Sequence, residues 1–142
     1  MEIKNQDIKN KDGNEITVSL PGTLSATATN YGVFFIASRP IEIMKIKEAH
    51  TTAGSDADAV TLQIEKLTGT TALDSGSTIL TTAFNLKSTA NTVVSYSGTG
   101  LTVNRQLVEG DRLALKDTGT LTNLQGVCVT IYYKYLGQGH YA

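Results

Sequence analysis

The sequence predicts an all-β domain: an antiparallel β-sandwich, jelly-roll-like, of roughly eight to ten short strands behind an extended N-terminal arm. Three observations carry that prediction. Several stretches alternate apolar and polar residues, most cleanly Val60, Leu62 and Ile64 against Thr61, Gln63 and Glu65; a period of two marks a strand with one buried face. Clusters of Gly, Ser, Thr, Asn and Asp interrupt these stretches about every 8–12 residues, where turns belong. No segment carries the stripe of an amphipathic helix. Periodicity does not separate a plain sandwich from a jelly roll. No repeat of fixed period is evident, which argues against a propeller or solenoid.

Taken in order, residues 1–14 are polar, with Ile3 and Ile8 as isolated aliphatic points. Their spacing suits neither a helix stripe nor a strand face. We read this segment as an arm, loosely ordered or extended, whose two isoleucines are candidates for anchoring on a neighbouring subunit. The domain itself is expected over residues 15–136, with a short tail at 137–142. Ile16, Val18 and Leu20 alternate with Thr17 and Ser19, and Pro21-Gly22 is expected to end that strand in a turn. Leu24, Ala26 and Ala28 make a weaker strand. Tyr31 to Ala37 is a continuous apolar run, expected either to be covered on both faces or to sit at a subunit contact. Tyr31 and Phe34 are its contact candidates.

Pro40 suits the first position of the next strand. Ile41 and Ile43 share a face, but Ile46 has the opposite parity. One residue too many lies between them, so we expect a β-bulge at Ile43–Lys45 with Met44 at the slip. His50 is expected as a surface or strand-end residue. Thr78–Leu86 reads as one strand, or as a helical turn followed by a strand. Thr92–Tyr96 is a short strand, Gly98-Thr99-Gly100 a tight turn, and Leu101/Val103 and Leu107/Val108 short apolar pairs. Glu109-Gly110-Asp111 turns the chain into Arg112–Lys116, with Leu113 and Leu115 inward. The last strand, Gly126–Leu136, alternates Val127, Val129, Ile131, Tyr133 and Tyr135 against Cys128, Thr130, Tyr132, Lys134 and Leu136. Its length places it inside a sheet, paired with early strands. Tyr132 then faces outward, as an aromatic of the kind used in carbohydrate or subunit contacts.

At 142 residues the chain fits one domain, and 12 Lys+Arg against 13 Asp+Glu leave a net charge of −1. No basic stripe is present, so nucleic acid is not an expected partner. No stretch approaches the roughly 18–20 apolar residues that span a bilayer, and residues 1–20 lack the apolar centre of an export signal. No membrane partner and no classical export are expected. The single cysteine, Cys128, excludes an intramolecular disulfide and reads as a small buried hydrophobe.

Catalytic and metal-binding patterns are weak. His50 and His140 share no metal-ligand spacing. Asp56 and Asp58 in Ser55-Asp56-Ala57-Asp58 have a calcium-like spacing but lack the further oxygen donors of a calcium loop, so a solvated turn is expected. No serine sits in a Gly-x-Ser-x-Gly elbow. Glu48, Glu65 and Glu109 are the carboxylates available to glycosidase chemistry, yet alternation places Glu65 outward beside Lys66, where a solvated face is expected. We expect no enzyme and no cofactor.

Three stretches, Leu20–Ala37, Ala53–Asp56 with Val60–Leu67, and Glu109–Leu121, together resemble small virion proteins of tailed bacteriophages and prophages. The similarity runs over residues 18–135. The resemblance implies a particle component of the capsid decoration (cement) kind, many of which are sandwich or jelly-roll domains. It implies the major capsid protein and further copies of this chain, in a homodimer or homotrimer, as partners. The implied location is the capsid surface of the virion, after assembly in the host cytoplasm. A receptor- or glycan-binding module of a tail or head fibre is the alternative. The resemblance brings no functional residue set with it.

Overall fold

Ten antiparallel strands form two sheets over the residues that the computed structural model describes, 13–24 and 32–137. They are β1 (Asn14–Thr23), β2 (Val33–Ile36), β3 (Ile41–Ala49), β4 (Thr61–Leu67), β5 (Ser77–Thr78), β6 (Phe84–Asn85), β7 (Val94–Ser97), β8 (Gln106–Leu107), β9 (Arg112–Thr118) and β10 (Gln125–Tyr135). The first sheet runs β1-β10-β3-β7, with β8 also on β3; the second runs β2-β9-β4-β5, with β6 also on β4. Short 3-10 turns at Gly98–Gly100 and Val103–Arg105 are the only helical pieces among the described residues.

The pairing settles what periodicity left open. The two halves of the chain pair in reverse order: β1 with β10, β2 with β9, β3 with β7 and β8, β4 with β5 and β6. A long hairpin of this kind, rolled so that β10 also meets β3 and β9 also meets β4, is a jelly roll.

The inner faces pack into one core. Ile41, Ile43 and Ile46 of β3 and Val127, Val129 and Ile131 of β10 meet Leu62, Ile64, Leu113 and Leu115 of the second sheet. Each such side chain contributes about 1.5–3 kcal/mol on burial. At one end, Phe35, Tyr133 and Tyr135 form an aromatic chain with ring centroids 5.6 and 5.7 Å apart, and the Arg39 guanidinium lies 3.7 Å above Tyr135. Burial first, and Tyr135 beside it second, push the Tyr133 phenol up to about 12.

The bulge falls where the parity argument puts it. Lys45 pairs with Tyr132 and Ile43 with Tyr133, leaving Met44 as the extra residue. Met44 is exposed while Ile43 and Ile46 are fully buried. The insertion lets one strand feed the core on both sides of the slip. It also separates the β8 partners, Ile41 and Glu42, from the β7 partners, Lys45 to Glu48.

Two expectations fail. Pro21-Gly22 does not end β1; the strand continues to Thr23 through a second register shift. Pro21 and Gly22 fall within that shift, where neither is paired with β10, so the missing proline N–H costs little, and Gly22 takes φ +74, a value open to glycine. Of the two readings of the Tyr31–Ala37 run, cover on both faces does not hold over residues 32–37: they contain the four-residue edge strand β2, with Val33 40% and Ile36 63% exposed. The Ile3 and Ile8 arm, the Ala26–Ala28 strand, Tyr31 and the 138–142 end of the tail, with His140, lie outside the described residues.

The parity argument makes a sharp prediction. Deleting Met44 leaves Ile41, Ile43 and Ile46 in regular alternation and should shift the melting temperature by about 5 °C or less. Deleting Lys47 turns Glu48 and His50 to the opposite face and should abolish cooperative unfolding. Calorimetry on both variants checks this; equal losses would refute it.

Candidate functional site

The outer face of the first sheet carries a shallow depression. Period-two alternation puts Tyr132, Thr130 and Cys128 on this face of β10, opposite Lys45, Lys47 and Ala49 of β3. All of these but Lys45, together with Glu48 and Val93, line a hollow of about 140 Å³, well under the roughly 300 Å³ at which drug-sized pockets begin. It suits one side chain or one ring. The Lys45 and Lys47 ammonium groups lie 5.7 and 5.2 Å from the Tyr132 ring centroid, each contact being worth about 0.5–1 kcal/mol at an exposed site. Neither lysine makes an ion pair among the described residues. Thr17 and Thr130 share a hydroxyl hydrogen bond of 3.1 Å beside them.

Tyr132 is thus where alternation puts it. Cys128 is not a core residue: it is half-buried on this outer face, because it shares the parity of Thr130 and not that of Val129. Phe34 is half-buried and packs against the core. A register shift at Val33–Phe35 leaves it without a partner on β9 and turns Val33 and Ile36 outward instead. A bulge inside a uniformly apolar run leaves no parity signal, so the sequence did not reveal which residues are exposed.

The second sheet's outer face is covered by its own chain. Glu65 points outward as alternation requires, yet it is fully buried rather than solvated. The 68–76 loop folds over it: Glu65 accepts from the Asp74 N–H at 2.8 Å and from the Gly76 N–H at 2.9 Å. Arg112 donates to the Gly69 and Thr71 carbonyls at 3.1 and 2.9 Å, and Lys116 pairs with Asp74 at 3.1 Å. Leu67 is buried in the same layer. Glu65 therefore serves as a loop cap.

His50 is also not at the surface. It and Glu48 are each 1% exposed, because the bulge gives both the parity of Ile46. His50 Nδ1 lies 2.8 Å from Glu48 Oε2, and Nε2 donates to the Ser88 carbonyl at 3.0 Å. Burial pushes the Glu48 carboxyl above its ordinary 4.5, against the opposing pull of His50. At the same end of the sandwich, Asp56 accepts from the Asp58 N–H at 3.2 Å, and Asn123 donates to Ser55 Oγ at 2.8 Å. The loop carboxylate is turned back on its own backbone. No group of three or more His, Cys, Asp or Glu among the described residues is placed to hold a metal ion.

Two variants test the loop cap. Glu65→Ala removes the acceptor for two amides and should cost about 1–3 kcal/mol. Gly76→Ala drives a methyl group into the Lys66 carbonyl. Both should open the loop to thermolysin at Leu73, whereas unchanged cleavage would show that Glu65 does not hold it.

No protein-family model and no curated protein matches the chain. Among solved structures it is similar to a chain of the cyanophage Pam1 capsid asymmetric unit, with a TM-score of 0.53 and 12% identity. The match covers 87% of this chain and 86% of that one. At this identity the likeness is one of fold: the jelly-roll sandwich derived above is shared, nearly end to end, with a chain found in a phage capsid.

Proposed function

We propose that this protein is a structural component of a phage particle: a decoration (cement) protein on the capsid surface. It binds adjacent major capsid subunits as a homodimer or homotrimer, after assembly in the host cytoplasm, and strengthens the shell. The observation that carries this reading is the fold shared with a capsid chain over 87% of this chain and 86% of that one, which makes the two chains close in length. The role needs a rigid module, a spreading contact and no chemistry. Repeated weak contacts around a symmetry axis then add through avidity.

The test is direct. Capsids of the encoding phage, stripped of accessory proteins, should rebind the purified full chain in a fixed copy number per shell subunit. Removing residues 1–12, which precede β1, should abolish rebinding and leave the melting temperature within about 2 °C. A truncated chain that decorates at full affinity would remove the arm from the mechanism. Failure of the full chain to rebind would overturn the cement reading.

The Tyr132 depression favours a second reading, a glycan-binding module of a tail or head fibre. An aromatic face beside hydroxyl and ammonium donors suits a sugar ring. That reading expects binding to host polysaccharide, lost in Tyr132→Ala. A blank glycan array would rule it out.

A further inference from the structure

The His50 ring bridges two parts of the chain that the sequence keeps apart. On one side lies its own strand, with Glu48 Oε2 at 2.8 Å; on the other lies the 86–93 connection between β6 and β7, with the Ser88 carbonyl at 3.0 Å. The Asn91 N–H donates to the His50 carbonyl at 2.8 Å, so the residue holds the connection through side chain and backbone together. A carbonyl only accepts, so Nε2 carries a proton. One further proton then lies between Nδ1 and Oε2, on either atom, and the pair is neutral overall.

We propose that Glu48 and His50 form a buried one-proton site that latches the 86–93 connection onto β3, and that removing the proton releases it. Once it leaves, the ring keeps a single N–H for two acceptors. The Glu48 carboxylate takes it, because a charge-assisted hydrogen bond is about twice as strong as one to a neutral carbonyl. Nε2 then turns a lone pair toward the Ser88 oxygen, and the contact becomes repulsive. Glu48 Oε1 and Ser88 Oγ are both buried without a hydrogen-bond partner among the described residues, so each gains water when the connection lifts. That lowers the cost of opening. The connection ends at Val93, which lines the depression beside Tyr132, so release reshapes that surface.

The surrounding charges leave the pair in control. Lys47 alternates to the outer face, and Lys87 on the connection is bonded to the Ala57 and Asp58 carbonyls. Asp56 caps its own loop, and Asp58 is exposed. Asp117 of β9, buried beyond Leu115, is the charged group that the second sheet turns inward at this end. The direction follows from Glu48: its folded-state value is raised by burial. Latching therefore holds at low pH and is lost as pH rises through that raised value.

Amide hydrogen exchange on the full chain, corrected for intrinsic rates, tests this between pH 5 and pH 9. The Asn91 amide should lose protection by up to about tenfold per pH unit as the proton is released and level off once it is gone, while amides of central strand β10 stay constant. In Glu48→Gln the side-chain amide donates to Nδ1 and Nε2–H keeps Ser88, so Asn91 protection should be flat across the range. A wild-type profile without the loss, or the same loss in Glu48→Gln, would overturn the latch. Should that variant not fold, the wild-type profile decides alone: Asn91 falling by itself supports the latch, and Asn91 falling together with β10 refutes it.

Discussion

Strand β10 is the constraint on which the molecule depends. It pairs with β1 on one side and β3 on the other over most of its length, so its alternation is imposed on three strands at once. Val127, Val129 and Ile131 fix which face of the first sheet is core, and any slip in a partner must be absorbed by a bulge. Both partners contain one, and in β3 the bulge restores Ile46 to the interior. Parity is conserved at the expense of regular hydrogen bonding, because several buried side chains outweigh one missing ladder bond.

The two outer faces show different solutions to the same exposure. The second sheet is covered by its own 68–76 loop, whose amides are satisfied by the buried carboxylate of Glu65 and whose carbonyls are tied by Arg112. Among the described residues the outer face of the first sheet is polar, with threonines, Lys45 and Lys47 beside the Tyr132 ring and a small hollow. Val33 and Ile36 add exposed apolar surface on the edge strand of the other sheet. The proposed decoration role would call for accessible surface of this kind.

One end of the core departs from apolar packing. Glu48 and His50 follow Ile46 into the interior, and the pair is tolerable there because the proton between them keeps it neutral. A hydrophobic pair would have closed this end without any dependence on protons. The polar choice ties a distant connection to β3, and it ties that connection's position to pH.

Much of this architecture was legible in the sequence, for a local reason. Alternation, turn residues and the parity break at Met44 are local signals, and they fixed the all-β class, the inward rows, the bulge and the outward side of Tyr132. Glu65, His50 and Cys128 show the limit. For Glu65 alternation gave the right side of the sheet, but a loop that folds back decided that this side is dry. His50 shares the parity of Ile46 once the slip at Met44 is counted, but that it lies buried past the strand end, against a partner 38 residues away at Ser88, leaves no mark on local pattern. Cys128 was assigned by residue type, and its position in the register overruled type. Jelly-roll closure, likewise, was decided by which strands meet. Period two states how a strand divides its side chains between two faces; only the tertiary structure decides what lies against each face, because burial depends on contacts between segments far apart in sequence.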